Sequence, residues 1–509
     1  MSPRGSHAGD AHGSDAARAD ATASVTGRTA TSGDELARVV AACDAPVDAR
    51  AGAEDWARSG AMAVTGFPDG PPLVAPAAFA TAAARAVAEV ARLARALGLP
   101  RAPGLDALDG ALLLGERAAA LALARRGDVA PGGDCRLLRT RDGAVALQLV
   151  RDDDTALLDA WLETPRGGSE PWEFAARALR ARDAEPVALR ARELGLACAV
   201  AAAPRADAGA WLDARELTPA SESAAGRAAA RGAARGHARA EGDATAHSTS
   251  RGPARGRRPL VVDLSSLWAG PLCTHLLALA GADVVKVEST RRPDGARRGP
   301  ADFHDLLNAG KRSVALDFAS ADGRAALARL VAAADIVVEA SRPRALAQLG
   351  IDAERVVARG RRATWVSITG YGRDEPGASW IAYGDDAAVA AGASFALRAR
   401  ERARGAIDSP AAARADGLCF CGDALADPLT GARAAAAALA AHADGGGRLL
   451  SIPLTGVVAS VLATAPIAAD VGSARLEAAP PRLRPARGRA AALGADTRDV
   501  LGELDARPC

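Results

Sequence analysis

The chain has 509 residues, 49% of them hydrophobic, which is enough to bury the cores of roughly two to four domains. Its 63 Lys and Arg residues are nearly matched by 61 Asp and Glu residues, which gives a formal charge of +2. So small a net charge argues against an overall electrostatic attraction to nucleic acid or to a membrane surface. The seven cysteines show no zinc-like CxxC pair, and no apolar run approaches the ~18 residues that span a bilayer. We therefore expect a cytoplasmic protein with no metal, no nucleic-acid partner and no membrane partner.

Two segments are predicted to be disordered. Residues 1–33 and 219–258 are rich in Gly, Ser, Ala, Asp, His and Arg and lack apolar periodicity. The second segment is therefore predicted to be a linker between two halves, residues 34–218 and residues 259–509.

The first half is predicted to be mostly helical over residues 36–97, with a break at TGFPDGPP, where proline and glycine prevent a continuous helix. The segment CRLLRTRDGAVALQLV predicts a β-hairpin that turns at Arg141, Asp142 and Gly143, and helices should follow through Leu162 and Leu179. This pattern indicates a small α+β domain.

The second half alternates short Val-rich strands with helices. The segments RPLVVDLS, DVVKVE, DIVVEAS and TWVSITG are predicted strands, and residues 271–280 and 323–333 are predicted helices. Such alternation implies an α/β fold with a Rossmann-like, doubly wound parallel sheet. Ligands of these sheets bind beyond the carboxyl ends of the strands, so residues 265–270, 289–298, 340–344 and 370–372 should surround one crevice.

Glycine-rich phosphate loops are missing from this half. The first strand leads into SSLWAGP and not into GxGxxG, and no GxxxxGK[ST] loop occurs, so a nicotinamide or flavin dehydrogenase is not expected. Lys286 and Lys311, the only two lysines of the chain, lie in the second strand and in a basic turn, NAGKRSVALD. They indicate a local need for a compact positive charge, in positioning and not in covalent chemistry.

Four segments occur in an order that resembles the amino-terminal half of the family III CoA-transferases: VVDLSSLWAGPLCTHLLALAGADVVKVE, NAGKRSVALD, DIVVEASRPRALAQLGID and WVSITGYG. This group includes formyl-CoA transferase, carnitine CoA-transferase and alpha-methylacyl-CoA racemase. The resemblance implies that coenzyme A is a substrate and that no other cofactor is needed. Carried over by position, the CoA-binding residues are Trp268, Ala269, Arg298, Leu316, Asp317, Ser341, Arg342 and Tyr383. The chain departs from formyl-CoA transferase at Ala340 and Gln348, where that enzyme has a contacting Asn and a contacting Arg.

The segment GDALADPLTGARAAAAALAAHADGGGRLLSIPL resembles the family pattern D-x-x-T-G, in which an aspartate opens an apolar helix. Asp427, with Thr430 and Gly431 at the matching offsets, is the predicted catalytic residue, and Asp423 is the alternative. Asp427 followed by Pro428 is also the pattern of an ordinary helix start with Asp as N-cap and Pro at the first helical position. In either case the helix N-terminus is expected to keep the carboxylate ionised.

The resemblance implies that Asp427 attacks an acyl-CoA thioester, that a mixed anhydride leads to an aspartyl-CoA thioester, and that a free carboxylic acid takes the CoA. The racemase branch uses a histidine whose place falls on Tyr383, with Asp385 and Asp386 nearby as alternative acids or bases, so the transferase is favoured over the racemase. The carboxylate of formyl-CoA transferase falls on Gly384, so the donor and acceptor stay open. A catalytically silent CoA-binding subunit is the remaining alternative.

The first half resembles a displaced partial copy of the same family. The segments CRLLRTRDGAVALQL and DDTALLDAWL resemble the family's small domain, and SGAMAVTGFPDGPPLVAPAAFATAAARAVAEVARL resembles the element that contains the nucleophile helix. In that copy the nucleophile falls on Thr81 and the motif glycine on Arg85, so it is predicted to be inactive. Family members form interlocked dimers, which predicts either a homodimer or a pseudo-dimer within one chain.

Overall fold

The computed structural model describes residues 34–506, apart from residue 152 and residues 206–209, 218–254, 359–362, 406–415 and 472–475. The predicted disordered segment 1–33 lies outside the described residues, as does the predicted linker except for residues 255–258. These four residues include Arg257, which forms an ion pair with Asp335 at the start of a strand of the second half.

The first half begins with helices that bury one apolar face. They are α1 (Glu35–Cys43), α2 (Ala49–Arg58), α3 (Phe79–Ala96) and α4 (Glu116–Ala120), with 3-10 helices at Met62–Val64 and Gly110–Leu114. In α3, Ala83, Val87 and Val90 recur at helical spacing and are buried. The interruption predicted at TGFPDGPP separates Met62–Val64 from α3, as expected.

A three-stranded antiparallel sheet follows. Strands β1 (Cys135–Arg139) and β2 (Ala144–Gln148) form the predicted hairpin, with Arg139 opposite Ala144. Helices α5 (Leu158–Leu162), α6 (Pro171–Leu179) and α7 (Ala184–Glu193) precede β3 (Ala197–Val200), which pairs with β2. Leu147, Trp161 and Phe174 bury their side chains in a core of their own. This is the small α+β unit that the sequence predicts.

The large sheet has seven strands in the order β4-β10-β9-β8-β5-β6-β7. They are β4 (Asp213–Glu216), β5 (Leu260–Asp263), β6 (Asp283–Ser289), β7 (Arg312–Leu316), β8 (Ile336–Glu339), β9 (Thr364–Thr369) and β10 (Arg448–Pro453). All neighbours are parallel except β4 and β10, which are antiparallel. The predicted α/β fold with a mostly parallel sheet is confirmed.

Two features of this sheet were not predicted. The predicted basic turn around Lys311 is wrong in part, because residues 312–316 are the edge strand β7. The first half also supplies a strand, because β4 pairs with β10 of the second half. Residues from Glu35 to the carboxyl terminus accordingly form one compact unit.

Helices cover both faces of the large sheet. They are α8 (Ala269–Leu279), α9 (Ala301–Asn308), α10 (Ala321–Ala333), α11 (Pro343–Gln348), α12 (Ala353–Ala358), α13 (Gly384–Ala390), α14 (Ala393–Ala403), α15 (Ala426–Ala443), α16 (Leu454–Thr464) and α17 (Thr497–Asp505). Successive residues of a strand point to opposite faces, so Val261 enters the core that contains α8 and α15, and Val262 enters the core that contains α10.

Helix α15 lies between α3 of the first half and α8 of the second half. Its alanines at residues 434–438 are fully buried, and small side chains of this kind allow neighbouring helices to approach closely. Among the described residues, no helix is long and apolar enough to cross a membrane. The cytoplasmic location stays a prediction.

Candidate active site

A cavity of about 410 Å³ lies at the carboxyl ends of β5, β8 and β9. From β5 the strand order runs to β6 and β7 on one side and to β8, β9 and β10 on the other, so β5 and β8 flank the point at which the order reverses. In open α/β sheets ligands bind at such a point. The lining includes Ser266, Leu267, Ala269, Arg292, Ala340, Ser341, Arg342, Gly370, Trp380, Tyr383, Asp427 and Leu454. Each of the four loops expected around one crevice contributes to it.

Helix α15 brings Asp427 to the cavity wall. A methyl group at Gly431 would lie 2.6 Å from the carbonyl oxygen of Ala269 and 3.0 Å from Cβ of Leu272, so the glycine lets α15 contact α8 directly. Asp427 lies one turn before Gly431, and Ala269 also lines the cavity. The packing of these two helices therefore fixes the carboxylate beside the loop that follows β5.

The start of α15 differs from the prediction. Leu425 is the N-cap, Ala426 is the first helical residue and Asp427 is the second, so the expected arrangement with Asp427 as N-cap and Pro428 at the first position is wrong. The backbone N–H of Asp427 donates to the carbonyl oxygen of Ala424 at 2.9 Å. Asp427 therefore does not occupy the N-cap position, and it lines the cavity.

The carboxylate of Asp427 lies against the backbone of Gly384, at the start of α13. The Gly384 N–H donates a hydrogen bond to it, and a Cβ at Gly384 would lie 2.5 Å from Oδ2 of Asp427. Asp427 keeps part of its surface open to the cavity. Burial raises its pKa to about 7, against the lowering effect of Arg117 and with a further increase from Asp423. Burial therefore opposes the helix N-terminus, and the expectation that the N-terminus keeps Asp427 ionised stays a prediction.

Two further buried aspartates, Asp423 and Asp385, interact with Asp427, and Asp386 follows Asp385 on α13. Asp385 accepts a hydrogen bond from the N–H of Ala424 at 2.8 Å, and Asp386 accepts one from the N–H of Tyr383 at 2.7 Å. Burial raises the pKa of Asp385 to about 7 and that of Asp386 to about 8, and neighbouring carboxylates add to both. Burial also raises the pKa of Asp423. Asp385 and Asp386 therefore bind protons near neutral pH, and raised pKa values of this kind are characteristic of functional sites.

Arg117 is the positive charge within this acidic group, and it comes from the first half. It lies on the short helix α4, and its guanidinium forms an ion pair of 2.5 Å with Asp423, whose side chain is fully buried. Arg117 could not be predicted from the sequence, because 306 residues separate it from Asp423 and no local pattern marks it.

Arginines also surround the mouth of the cavity. Arg292 and Arg342 line it, and Arg151 of the first half and Arg344 lie close enough to Arg342 to lower its pKa, after the larger effect of burial. Guanidinium groups bind phosphate oxygens in pairs of parallel hydrogen bonds. Arg292 and Arg342, which line the cavity, are therefore suited to a phosphorylated ligand, whereas Arg151 is paired with Asp154.

The two lysines are structural. Lys311 Nζ donates to Thr274 Oγ1 at 2.8 Å, to the carbonyl oxygen of Pro271 at 2.9 Å and to Asp263 at 3.1 Å. Lys286 Nζ donates to the carbonyl oxygen of Ser265 at 2.9 Å. Both amines are fully buried, and both hold the loop between β5 and α8 that lines the cavity. This agrees with the positioning role that the sequence suggests.

The predicted CoA-binding residues divide into two groups. The structure brings Ala269, Ser341, Arg342 and Tyr383 together with Asp427 around the cavity. The four others, among the described residues, do not line it.

Each of those four lies elsewhere on the domain. Trp268 is buried edge-on against Phe303, with 5.3 Å between the ring centroids. Leu316 is buried in the core on the α10 face, and Asp317 accepts from Arg291 at 3.2 Å. Arg298 is exposed at the end of the 3-10 helix Gly295–Arg298. In the same loop, Arg292 lines the cavity in place of Arg298.

The helix that resembles a second nucleophile helix is α3. Thr81 Oγ1 donates to Asp55 at 2.5 Å, and Arg85 donates to the carbonyl oxygen of Pro46 at 3.0 Å. Both side chains thus make contacts within the first half. The prediction that this copy is inactive remains a prediction.

Comparison with known proteins identifies the part of the chain that carries this cavity. Residues 259–491 match the model of CoA-transferase family III. The matched residues are slightly less than half of the chain. The matched residues include the large sheet from β5 onward, the lining of the cavity and Asp427.

Individual relatives cover less of the chain. The succinate–glutarate CoA-transferase of Agrobacterium fabrum is 35% identical over 136 residues, which are 24% of this chain and 34% of that protein. The formyl-CoA:oxalate CoA-transferase of Escherichia coli strain CFT073 is 33% identical over 141 residues, which are 26% of this chain and 34% of that protein. The chain spans about a third of the length of these relatives. A CAIB/BAIF family protein from Brucella suis superimposes with a TM-score of 0.32 and 30% identity, over 40% of this chain and 54% of that one.

Proposed function

We propose that the protein transfers coenzyme A from an acyl-CoA thioester to a free carboxylic acid through an aspartyl intermediate on Asp427. The observation that carries this proposal is the position of the Asp427 carboxylate in a cavity with an arginine-lined mouth. The arginines of this cavity suit the phosphates of CoA, and Asp427 presents a carboxylate to the same cavity.

The chemistry follows from that arrangement. The ionised carboxylate of Asp427 attacks the thioester carbonyl carbon, the carbon–sulfur bond breaks, and CoA leaves as the thiolate. The thiolate then attacks the Asp427 carbonyl of the mixed anhydride, which releases the donor acid and forms the aspartyl-CoA thioester. An acceptor carboxylate repeats the two steps in reverse and leaves as the new acyl-CoA. All bonds and charges balance with no further reactant.

The residues around Asp427 suit these steps. Gly384 presents a backbone N–H to the carboxylate, and the same donor can stabilise the oxygen that gains charge in the anhydride. A pKa of about 7 leaves a substantial ionised fraction at neutral pH and makes the carboxylate more nucleophilic than an ordinary exposed aspartate. Tyr383 and Ser341 lie on the cavity wall, where they can hold the thioester or the acid.

The racemase alternative has less support. The family's histidine position is Tyr383, and burial raises the pKa of its hydroxyl, so the hydroxyl stays protonated at neutral pH and does not accept a proton. Asp385 and Asp386 could move protons, but neither is among the described residues that line the cavity. The homodimer or intrachain pseudo-dimer also stays a prediction.

Trapping of the intermediate tests the proposal. The protein is incubated with a panel of acyl-CoA and acid pairs, CoA exchange is followed by mass spectrometry, and hydroxylamine is added to convert an acyl-aspartate into a hydroxamate. We expect the hydroxamate at Asp427 in the wild type and in Asp423→Asn, and none at that position in Asp427→Asn, whose exchange rate should fall by several orders of magnitude.

Other outcomes contradict specific parts of the proposal. Full turnover by Asp427→Asn, or a hydroxamate at Asp423, refutes the assignment of the nucleophile. CoA binding without any exchange in the wild type supports a silent binding subunit. Solvent deuterium incorporated next to the thioester carbonyl, without exchange, supports a racemase.

A further inference from the structure

The first half of the chain reaches the candidate site through Arg117. This residue lies on α4, and its NH1 group is 2.5 Å from Oδ1 of Asp423, a buried residue four positions before Asp427. The Arg117 side chain keeps 23% of its surface exposed, whereas the Asp423 side chain is fully enclosed. The second oxygen of Asp423, Oδ2, has no hydrogen-bond partner among the described residues, so Arg117 is the group that compensates this carboxylate.

The arrangement around Arg117 is closely packed. A Cβ at Gly132 would lie 2.8 Å from its NH2 group, so the chain has a glycine where any larger residue would displace the guanidinium. The neighbouring residue Glu116 is buried and forms two hydrogen bonds, of 2.6 and 2.7 Å, with Arg484. Helix α4 thus contacts the second half through two adjacent residues: Arg117 binds Asp423, and Glu116 binds Arg484.

We propose that Arg117 is a positioning residue of the active site, which the first half supplies to hold Asp423 and, through it, the carboxylate of Asp427. This inference rests on the function proposed above. The first half would then contribute to the active site, although it has Thr81 at the position where the family's nucleophile is expected.

The charges that face Asp427 determine the expected effect. They are Arg117 on α4, Asp423 before α15, Asp385 on α13 and Tyr383 at the start of α13. Arg117 lowers the pKa of Asp427 by more than Asp423 raises it. Loss of Arg117 should therefore raise this pKa even if Asp423 then becomes protonated, and loss of Asp423 should lower it.

The experiment measures the titration of Asp427 without relying on catalysis. The unfolding free energy is determined as a function of pH for pairs of proteins that differ only by Asp427→Asn. The slope of their difference against pH falls to zero as the proton leaves the folded protein, and the midpoint of that fall reports the pKa of Asp427. The pairs are made in the wild type, Arg117→Gln, Arg117→Lys and Asp423→Asn. We expect the midpoint to rise by about one unit or more in Arg117→Gln, to stay near the wild-type value in Arg117→Lys, and to fall in Asp423→Asn.

Catalytic measurements on the same proteins test positioning. At pH values below the midpoint, each unit by which Arg117→Gln raises the pKa of Asp427 lowers the ionised fraction of Asp427 about tenfold. We therefore expect kcat to fall and its pH profile to move with the midpoint. KM for acyl-CoA should stay close to that of the wild type. Arg484→Gln is the matched control, because it breaks the other tie of α4. We expect it to lower stability and to leave the midpoint unchanged.

The results separate the two proposals. An unchanged midpoint in both Arg117→Gln and Asp423→Asn overturns the role of Arg117, as does an equal shift in Arg484→Gln. If Arg117→Gln does not fold, the direction of the shift in Asp423→Asn decides. A shifted midpoint in a protein that forms no acyl-aspartate supports the role of Arg117 and refutes the CoA-transfer mechanism instead.

Discussion

Substitution of Gly431 by alanine should disturb the site through the contact between α15 and α8. The added Cβ would lie 2.6 Å from the carbonyl oxygen of Ala269, about 0.8 Å short of the 3.4 Å at which ordinary contacts begin, and 3.0 to 3.1 Å from atoms of Leu272. The closest atom belongs to the backbone and cannot rotate away. One helix must therefore move relative to the other by several tenths of an ångström.

The expected cost follows from this displacement. Overpacking of this kind costs about 1 to 3 kcal/mol, and the higher helix propensity of alanine returns about 1 kcal/mol, so the net loss of unfolding free energy should be about 0 to 2 kcal/mol. Catalysis should suffer more, because Asp427 lies one turn from Gly431 on the helix that moves. A misplacement approaching 1 Å lowers rates by about 10²-fold, so we expect kcat to fall by about 10- to 100-fold.

Two measurements check this prediction. Urea unfolding gives the stability change, and steady-state CoA exchange gives kcat. Gly502→Ala in α17 is the matched control, because an added Cβ there meets no atom within 4 Å, and it should gain up to about 1 kcal/mol with unchanged activity. If Gly431→Ala has a kcat within about twofold of the wild type, the argument that helix packing positions Asp427 is wrong.

Three further substitutions probe the site and its support. Gly384→Ala should lower activity about as strongly as Gly431→Ala, because its Cβ would lie 2.5 Å from Oδ2 of Asp427; normal exchange rates would contradict this. Asp427→Asn should raise the unfolding free energy by about 2 to 4 kcal/mol above about pH 7. Because the pKa of Asp427 is raised from 3.8 to about 7, the folded state binds the proton more tightly than the unfolded state, and the wild type loses stability as pH rises between these values. The gain from Asn should therefore vanish below about pH 4. Lys311→Met should cost about 3 to 5 kcal/mol in urea unfolding, because it removes the ammonium beside buried Asp263, and Asp263→Asn in addition should recover part of that loss.

Local sequence patterns predicted most of the central architecture. Val-rich runs such as RPLVVDLS became buried strands, and the turn at Arg141, Asp142 and Gly143 formed the hairpin, because hydrophobic periodicity and turn residues act over short distances. The edge strand β7 was not predicted, since the segment that follows Lys311 carries a charge and only five residues form the strand. Strand β4, with four exposed residues, has no apolar pattern at all and depends on its pairing with β10.

The site was predictable to a similar extent. Asp427 and the loops at the carboxyl ends of the strands could be found, because a motif and a topological rule mark them. Arg292 was placed in the correct loop but not singled out, since neighbouring arginines in that loop cannot be ranked by sequence alone. Arg117 and Arg151 could not be found, because contacts across more than 100 residues leave no local pattern. The pKa of Asp427 also depends on burial, which is a property of the folded chain.

Transfer of oxygen from the acceptor acid to Asp427 tests the central claim most directly. The acceptor acid is labelled with heavy oxygen in its carboxylate, turnover is allowed with an acyl-CoA donor, and the peptide that contains residue 427 is weighed by mass spectrometry. When the acceptor carboxylate attacks the aspartyl-CoA thioester, its oxygen bridges the anhydride and stays with the aspartate after CoA attacks the acyl carbon. We predict that this peptide gains the mass of heavy oxygen and that no other peptide does. Product acyl-CoA formed at the normal rate with no label at Asp427 would contradict the account.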